Sequence, residues 1–385
     1  MALKSAWTAS SGELTPTSRD GGDPLGFRAY ANRLARRLVP GLTAATSKTR
    51  GFSLLCLGAK IARQADSDGR KVSEDVARET FQRVERCWVA AQVRLLGDDA
   101  TFPGKRRATR LMEEASATGE FSLTVPLLRS QLSSGVWGSY RRSSAAFGFI
   151  NGASGGVTRL SATRVLGSGS ELVKAFKDSA YSGTNPGHWA RLDYVSIDDV
   201  LSYIDAQSEP SPEEQEIISK GIESFDAHHD RALARLRGEF DRHGGSLTLK
   251  GLDPRHLSAD QAASVREAKA LVEGIQEVEF AFRDWIADEN GLSVPASIRK
   301  WAIWHLAGPQ EPDIARLSQV IEDSSKDMLA RNILQHHRHL SMTRGAPSWE
   351  PGSELPTVRQ RILPDFTLKA LRNLFDEGVR PRVDA

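Results

Sequence analysis

Residues 73–97 read SEDVARETFQRVERCWVAAQVRLLG, and this stretch decides the fold class. Ser73 is a good helix N-cap, because its hydroxyl can accept a hydrogen bond from the first turn, and Gly97 ends the run. Between them Val76, Phe81, Val84, Trp88, Ala91 and Leu95 recur at helical spacing, which predicts one long amphipathic helix. Upstream, Asp23 and Pro24 open a helix carrying Phe27, Tyr30, Leu34 and Leu38 that stops at Pro40-Gly41. A second helix begins near Thr46 and carries Phe52, Leu55, Cys56 and Ala59. Downstream, residues 105–117 start basic and finish acidic, against the helix macrodipole, so the first turn is expected to face a partner or solvent. These helices predict a basic helical domain over 23–118, after a loose Ser/Thr/Gly tail over 1–22.

The texture changes beyond residue 118. A helix over 136–149 is followed by the Asn151–Gly156 turn, a β-biased run from Val157 to Leu166, a second glycine-rich turn and a short helix over 171–176. That order predicts a winged helix-turn-helix-like module over 119–180, with its strand in the 157–166 run. From 190 to 385 the pattern is helical again, with a long helix expected over 258–288 whose apolar face includes Val265, Ala268, Leu271, Val272, Ile275 and Trp285. The fold class is therefore mainly α: a multi-domain helical protein with a winged helix-turn-helix-like module.

Composition narrows the function. Hydrophobic residues form 39% of the chain and charged residues 26%, which suits a folded chain and not a disordered one. The two cysteines, Cys56 and Cys87, cannot build a disulfide framework or a four-cysteine zinc site. No signal-peptide-like or membrane-length apolar run occurs, so a cytoplasmic protein without a membrane partner is expected. Because 51 basic residues face 49 acidic ones, any affinity for phosphate has to come from local patches.

One patch is the segment 23–63, where Arg28, Arg33, Arg36, Arg37, Lys48, Arg50, Lys60 and Arg63 face a single acid, Asp23. Lys48 and Arg50 stand among Thr43, Thr46, Ser47 and Thr49, whose hydroxyls could join them on phosphate oxygens. The competing reading is a solvated helix face, its arginines paired with acids elsewhere. A second patch is the recognition-helix position, with Ser139, Tyr140, Arg142 and Ser143 at its front, Arg141 on the same helix, and Arg159 and Arg164 on the wing. Arg33, Arg37, Lys48, Arg50, Tyr140, Arg141, Arg142, Arg159 and Arg164 are thus the candidate nucleic-acid contacts. The alternative for this module is protein docking.

Two histidine clusters offer metal chemistry. His228-His229-Asp230, with His188 upstream and Asp284, Asp313, Asp323 or Asp327 downstream, is similar in order to the helical HD phosphohydrolases, although its charged neighbours also fit a solvated face. His336 and His339 share a helix face and could hold a metal or a phosphate, or meet another domain. No phosphate-loop lysine follows the glycines at 152–169, and no nucleophile elbow is present. Neither a catalytic residue nor a cofactor is therefore assigned.

Pro40-Gly41-Leu42-Thr43, then Thr46-Ser47-Lys48-Thr49-Arg50 and Phe52, resembles the N-terminal motif of a set of poorly characterised bacterial proteins of phage-defence clusters. The His336-His337 pair with Arg344 to Trp349 is similar to theirs. The chain departs from them at Gly51 and Leu54-Leu55-Cys56-Leu57. The resemblance implies a defence-complex component with a helicase, nuclease or ATPase subunit as protein partner. Together these readings lead to a non-catalytic, DNA-contacting subunit. The alternatives are a helical scaffold, with Trp285, Trp301, Trp304 and Trp349 at its core or interface, and a metal-dependent phosphohydrolase.

Overall fold

The computed structural model of the chain describes residues 27–65, 72–152, 159–183, 185–207, 209–244, 247–269, 315–317, 319–320, 326–344 and 363–379. In chain order the helices are α1 (Phe27–Leu38), α2 (Thr49–Arg63), α3 (Glu74–Leu96), α4 (Lys105–Ala115), α5 (Gln131–Ser134), α6 (Val136–Ala146), α7 (Gly167–Ala180), α8 (Pro186–Trp189), α9 (Ile197–Tyr203), α10 (Pro212–Ala227) and α11 (Ala232–Arg242). Helix continues over 259–269, at Lys326–Arg344 and at Leu363–Asp376. The protein is mainly α, as its periodicity predicts. Among the described residues no helix is long and apolar enough to cross a membrane.

The long helix behaves as its sequence says. The Ser73 side chain accepts from Val76 N, Glu74 and Asp75 lie in the first turn where the macrodipole favours acids, and Gly97 closes the last turn with φ +52°. Ala77, Phe81, Val84, Trp88 and Ala91 are buried. Val76, expected on the apolar face, is instead 48% exposed, because it lies a full helical step to the side of Ala77.

The described residues divide into two compact units, one drawn from 1–40 and 238–369 and the other from 41–237 and 370–385. The boundaries expected near 118 and 180 fall inside the second unit. Within this unit α2 is apolar nearly all round, with only Lys60 and Arg63 exposed along it, and such a helix must be covered on every side. It is covered by α3, α6, α7 and α10 together. Phe52 meets the Tyr140 ring edge-on at 5.1 Å, Trp88 meets Phe176 at 5.1 Å and Phe147 meets Phe225 of α10 at 5.4 Å, so residues of 23–118, 119–180 and α10 pack together. Each of these rings that is fully buried contributes about 2–3 kcal/mol.

The 157–166 run differs from the expected strand. Of its described part, Leu160–Ala162 forms a 3-10 turn, and a single antiparallel bridge joins Ile150 to Val165. The strands that do pair are β1 (Glu120–Ser122) and β2 (Tyr194–Ser196), antiparallel, with Phe121 opposite Val195. Phe121 and Val195 are both buried, whereas their neighbours are not, which is the alternation that a one-sided ribbon needs. The expected turn at Gly167-Ser168-Gly169 is instead the first turn of α7. Gly169 lies so close to Phe149 that an added Cβ would sit 2.1 Å from its carbonyl oxygen, so this glycine serves close packing.

In the other unit, Tyr30, Leu34 and Leu38 of α1 are buried, and Gln261 Nε2 donates to Leu38 O at 2.9 Å. The long helix expected over 258–288 is described only to 269, with Ser258 as its cap: its hydroxyl accepts from Gln261 N. Its remainder, the helix expected over 294–306, and Trp285, Trp301, Trp304 and Trp349 lie outside the described residues. Cys56 and Cys87 are buried and unbridged, and burial pushes both thiols up, Cys87 to about 12, which keeps them protonated and unreactive.

Candidate nucleic-acid interface

Three of the candidate arginines, Arg142, Arg159 and Arg164, lie on segments of the second unit that are linked to one another by packing and hydrogen bonds. Arg142 is exposed on α6. One turn further along, Ala145 packs so closely on the following loop that a Cβ on Gly152 would lie 2.4 Å from its own Cβ. Next to Gly152, Asn151 is doubly bonded to Arg164: Asn151 N donates to Arg164 O at 2.8 Å, and Asn151 Oδ1 accepts from Arg164 N. Arg159 opens the 3-10 turn, which is pinned to the start of α3 because Leu160 N, Ser161 N and Ser161 Oγ all donate to the Glu74 carboxylate. Against the opposing effect of its burial, these three bonds and one from Arg78 Nε hold the Glu74 carboxyl below its usual range.

The side chains of Arg142, Arg159 and Arg164 are exposed, and none makes an ion pair among the described residues. Arg141 is half-buried and lies over the Trp137 ring at 5.6 Å, while Trp137 in turn packs edge-on against Phe81 of α3 at 5.6 Å. Burial, and then the adjacent Arg142, lower the affinity of the Arg141 guanidinium for its proton. The segments that carry these arginines are therefore held to α6 and, through Glu74, to the start of α3, where Asp75 is also exposed. A second basic surface lies on α4, where Arg106, Arg107 and Arg110 are exposed without an ion pair among the described residues, while Lys105 Nζ donates to Asp98 O.

Other candidates are spent inside the protein. Arg50 is buried: its Nη2 donates to Glu209 O at 2.8 Å and lies 3.5 Å from Glu214 Oε2, with the guanidinium 5.0 Å from the Phe176 ring. Glu214 is fully buried and also accepts from Ser53 Oγ, Ser179 Oγ and Ser211 N. A guanidinium so enclosed cannot reach a duplex, so Arg50 leaves the surface set. Tyr140 leaves it too, since its ring is buried on α2 and its hydroxyl accepts from Lys48 N at 3.1 Å. Lys48 pairs with Glu377 at 2.9 Å. The partners that consume these cations, the Glu209 carbonyl and the Glu214 and Glu377 carboxylates, lie over 150 residues away in sequence, and no local signal announces them.

Arg33 and Arg37 belong to the other unit. Arg37 pairs with Glu267 at 3.1 Å, Tyr30 donates to the same carboxylate at 3.5 Å, and Arg33 lies over the Tyr30 ring at 5.0 Å. This is the arrangement of an amphipathic helix whose arginines find an acid elsewhere.

His228, His229 and Asp230 are exposed in the turn after α10. Each histidine directs Nδ1 to a carbonyl one turn back, Ser224 O and Phe225 O, both at 2.9 Å, and His229 stacks on Phe225 at 3.9 Å. Asp230 faces Arg235 at 3.5 Å. The carboxylate with a structural task is the buried Asp226, which accepts from Leu233 N and Ala234 N and so caps α11. His336 and His337 are buried in helix Lys326–Arg344, and His339 is half-buried. Among the described residues no group of three or more His, Cys, Asp or Glu could hold a metal ion.

No protein-family model matches the chain, and neither a curated protein nor a solved structure matches it.

Proposed function

We propose that this chain is a non-catalytic, nucleic-acid-associated subunit that contacts the phosphate backbone of DNA through the corner formed by α6, the Asn151–Gly152 loop and the 159–164 segment. The observation that carries this reading is the set of three exposed arginines, Arg142, Arg159 and Arg164, without an ion pair among the described residues and carried on segments linked by the Ala145–Gly152 packing, the Asn151–Arg164 hydrogen bonds and the Thr163 hydroxyl on Arg159 O. Unpaired arginines on a braced surface are a phosphate-positioning device, because each can release counterions when it meets a phosphate. In this reading α6 takes the part of a recognition helix, and the loop before α7 takes that of a wing. The bacterial defence-complex setting, with a helicase, nuclease or ATPase subunit as partner, rests on the resemblance of the Pro40–Phe52 stretch.

The test is binding of the purified chain to a fluorescent duplex by anisotropy. Arg142→Glu with Arg164→Glu is expected to weaken binding by at least about tenfold, given roughly 1 kcal/mol or more per lost charged contact. Arg106→Glu with Arg107→Glu on α4 is the control for location. Loss in the α4 pair with none in the α6 pair would move the interface to α4, and loss in neither would leave a protein-docking scaffold.

A further inference from the structure

In the sequence Lys48 and Thr49 are candidates for a phosphate, and in the structure one of the chain's own carboxylates meets both. Helix α2 begins at Thr49, and the side chain of its N-cap residue, Lys48, does not cap it. Glu377 does so from the other end of the chain: its Oε2 accepts from Thr49 N at 2.6 Å, and its Oε1 lies 2.9 Å from Lys48 Nζ. A helix N-terminus with an ammonium beside it is an arrangement that holds anions.

A second observation separates this place from an ordinary cap. Thr49 is fully buried, and its hydroxyl oxygen has no hydrogen-bond partner among the described residues. The neighbouring hydroxyl of Thr46 is spent on the turn before the helix, donating to Thr43 O and accepting from Thr43 N. The two carboxylate oxygens of Glu377 satisfy the ammonium and the N–H and leave the Thr49 hydroxyl over. A tetrahedral anion has the further oxygen that this hydroxyl lacks. The wall is built as well: the Tyr140 ring lies so close to α2 that only a glycine fits at position 51, and its hydroxyl holds Lys48 N. Lys48 and Glu377 retain 36% and 14% of their side-chain exposure, so the place opens to solvent.

We propose that the N-terminus of α2 is a phosphate-group site formed by Lys48, the Thr49 N–H and the Thr49 hydroxyl, and that Glu377 occupies it as an internal anion until the C-terminal segment withdraws. The ligand is a phosphomonoester, either a small free phosphate or the phosphorylated end of a nucleic-acid strand. The site uses none of Arg142, Arg159 and Arg164.

The experiment compares thermal unfolding of the full chain in inorganic phosphate and in sodium chloride of equal ionic strength, for the wild type, Glu377→Ala and the double variant Glu377→Ala/Lys48→Ala. Glu377→Ala is expected to gain several degrees in phosphate, the wild type clearly less, and the double variant none beyond the wild type. An equal response in all three, or none in Glu377→Ala, overturns the proposal. Should Glu377→Ala fail to fold, hydrogen exchange of the wild type decides: phosphate should speed exchange over 371–379, and an unchanged rate overturns it. Tighter binding of a 5′-phosphorylated than of a 5′-hydroxyl oligonucleotide to Glu377→Ala assigns the ligand to a strand end. Equal binding with a response to inorganic phosphate assigns it to a small phosphate.

Discussion

Gly51 shows how one residue sets the packing of two helices. A Cβ there would stand 2.1 Å from the Tyr140 ring, well inside contact distance, so α2 and α6 can meet only because the side chain is missing. Gly51→Ala is therefore expected to destabilise the protein by about 1–3 kcal/mol, the usual cost of overpacking, read as a lower urea midpoint with an unchanged slope. An unchanged midpoint would mean that Tyr140 is not held against α2. Glu85 makes a different kind of statement. Its carboxylate is buried and accepts from Val136 N at 2.8 Å at the start of α6. Burial pushes the Glu85 carboxyl from 4.5 up to about 7, against the opposing effects of Val136 N–H, Gln131 and Arg86. Between those pH values the folded chain keeps a proton that the unfolded chain has released. The stabilisation is complete below the unfolded value and is lost as pH rises through about 7, by roughly 3 kcal/mol in all. Urea unfolding at pH 5 and pH 8 should show the wild type losing stability that Glu85→Gln keeps, and parallel behaviour of the two proteins would contradict the assignment.

At the scale of elements, what is local in sequence was legible and what depends on distant partners was not. The ends of α3 could be read because Ser73 and Gly97 act within one turn of themselves. The start of α7 could not, since Gly167-Ser168-Gly169 looks like a turn until Phe149 is found against it. Likewise the 157–166 run has strand-forming residues, but the edge partner that would make it a strand is reduced to one bridge, while β1 finds β2 more than 70 residues on. The stretch around His228 looked like metal chemistry, and the acid that matters there is Asp226, whose capping of α11 depends on the chain turning through Asp230 and Arg231, both at positive φ. Asp226→Ala is expected to cost about 1–2 kcal/mol of stability by removing that cap. His229→Ala should cost less in the same urea titration, and the reverse order would contradict this assignment.

At the scale of the molecule, the sequence yields the helices but not their grouping, because domain membership is decided by contacts between distant segments. Arg50 illustrates the point: its partners Glu209 and Glu214 tie the expected N-terminal domain to α10, and so place both in one unit. The same burial removes Arg50 and Tyr140 from the basic surface and leaves the arginines of α6 and the 159–164 segment. The central claim is that this remaining surface binds nucleic-acid phosphate. The most direct measurement is the dependence of duplex and single-strand affinity on salt for the wild type and for Arg142→Glu/Arg159→Glu/Arg164→Glu. Salt-sensitive binding is expected in the wild type, with a logarithmic slope shallower in the triple variant by roughly 0.9 per lost duplex contact. Identical slopes in the two proteins, or no binding by the wild type at low salt, would contradict it.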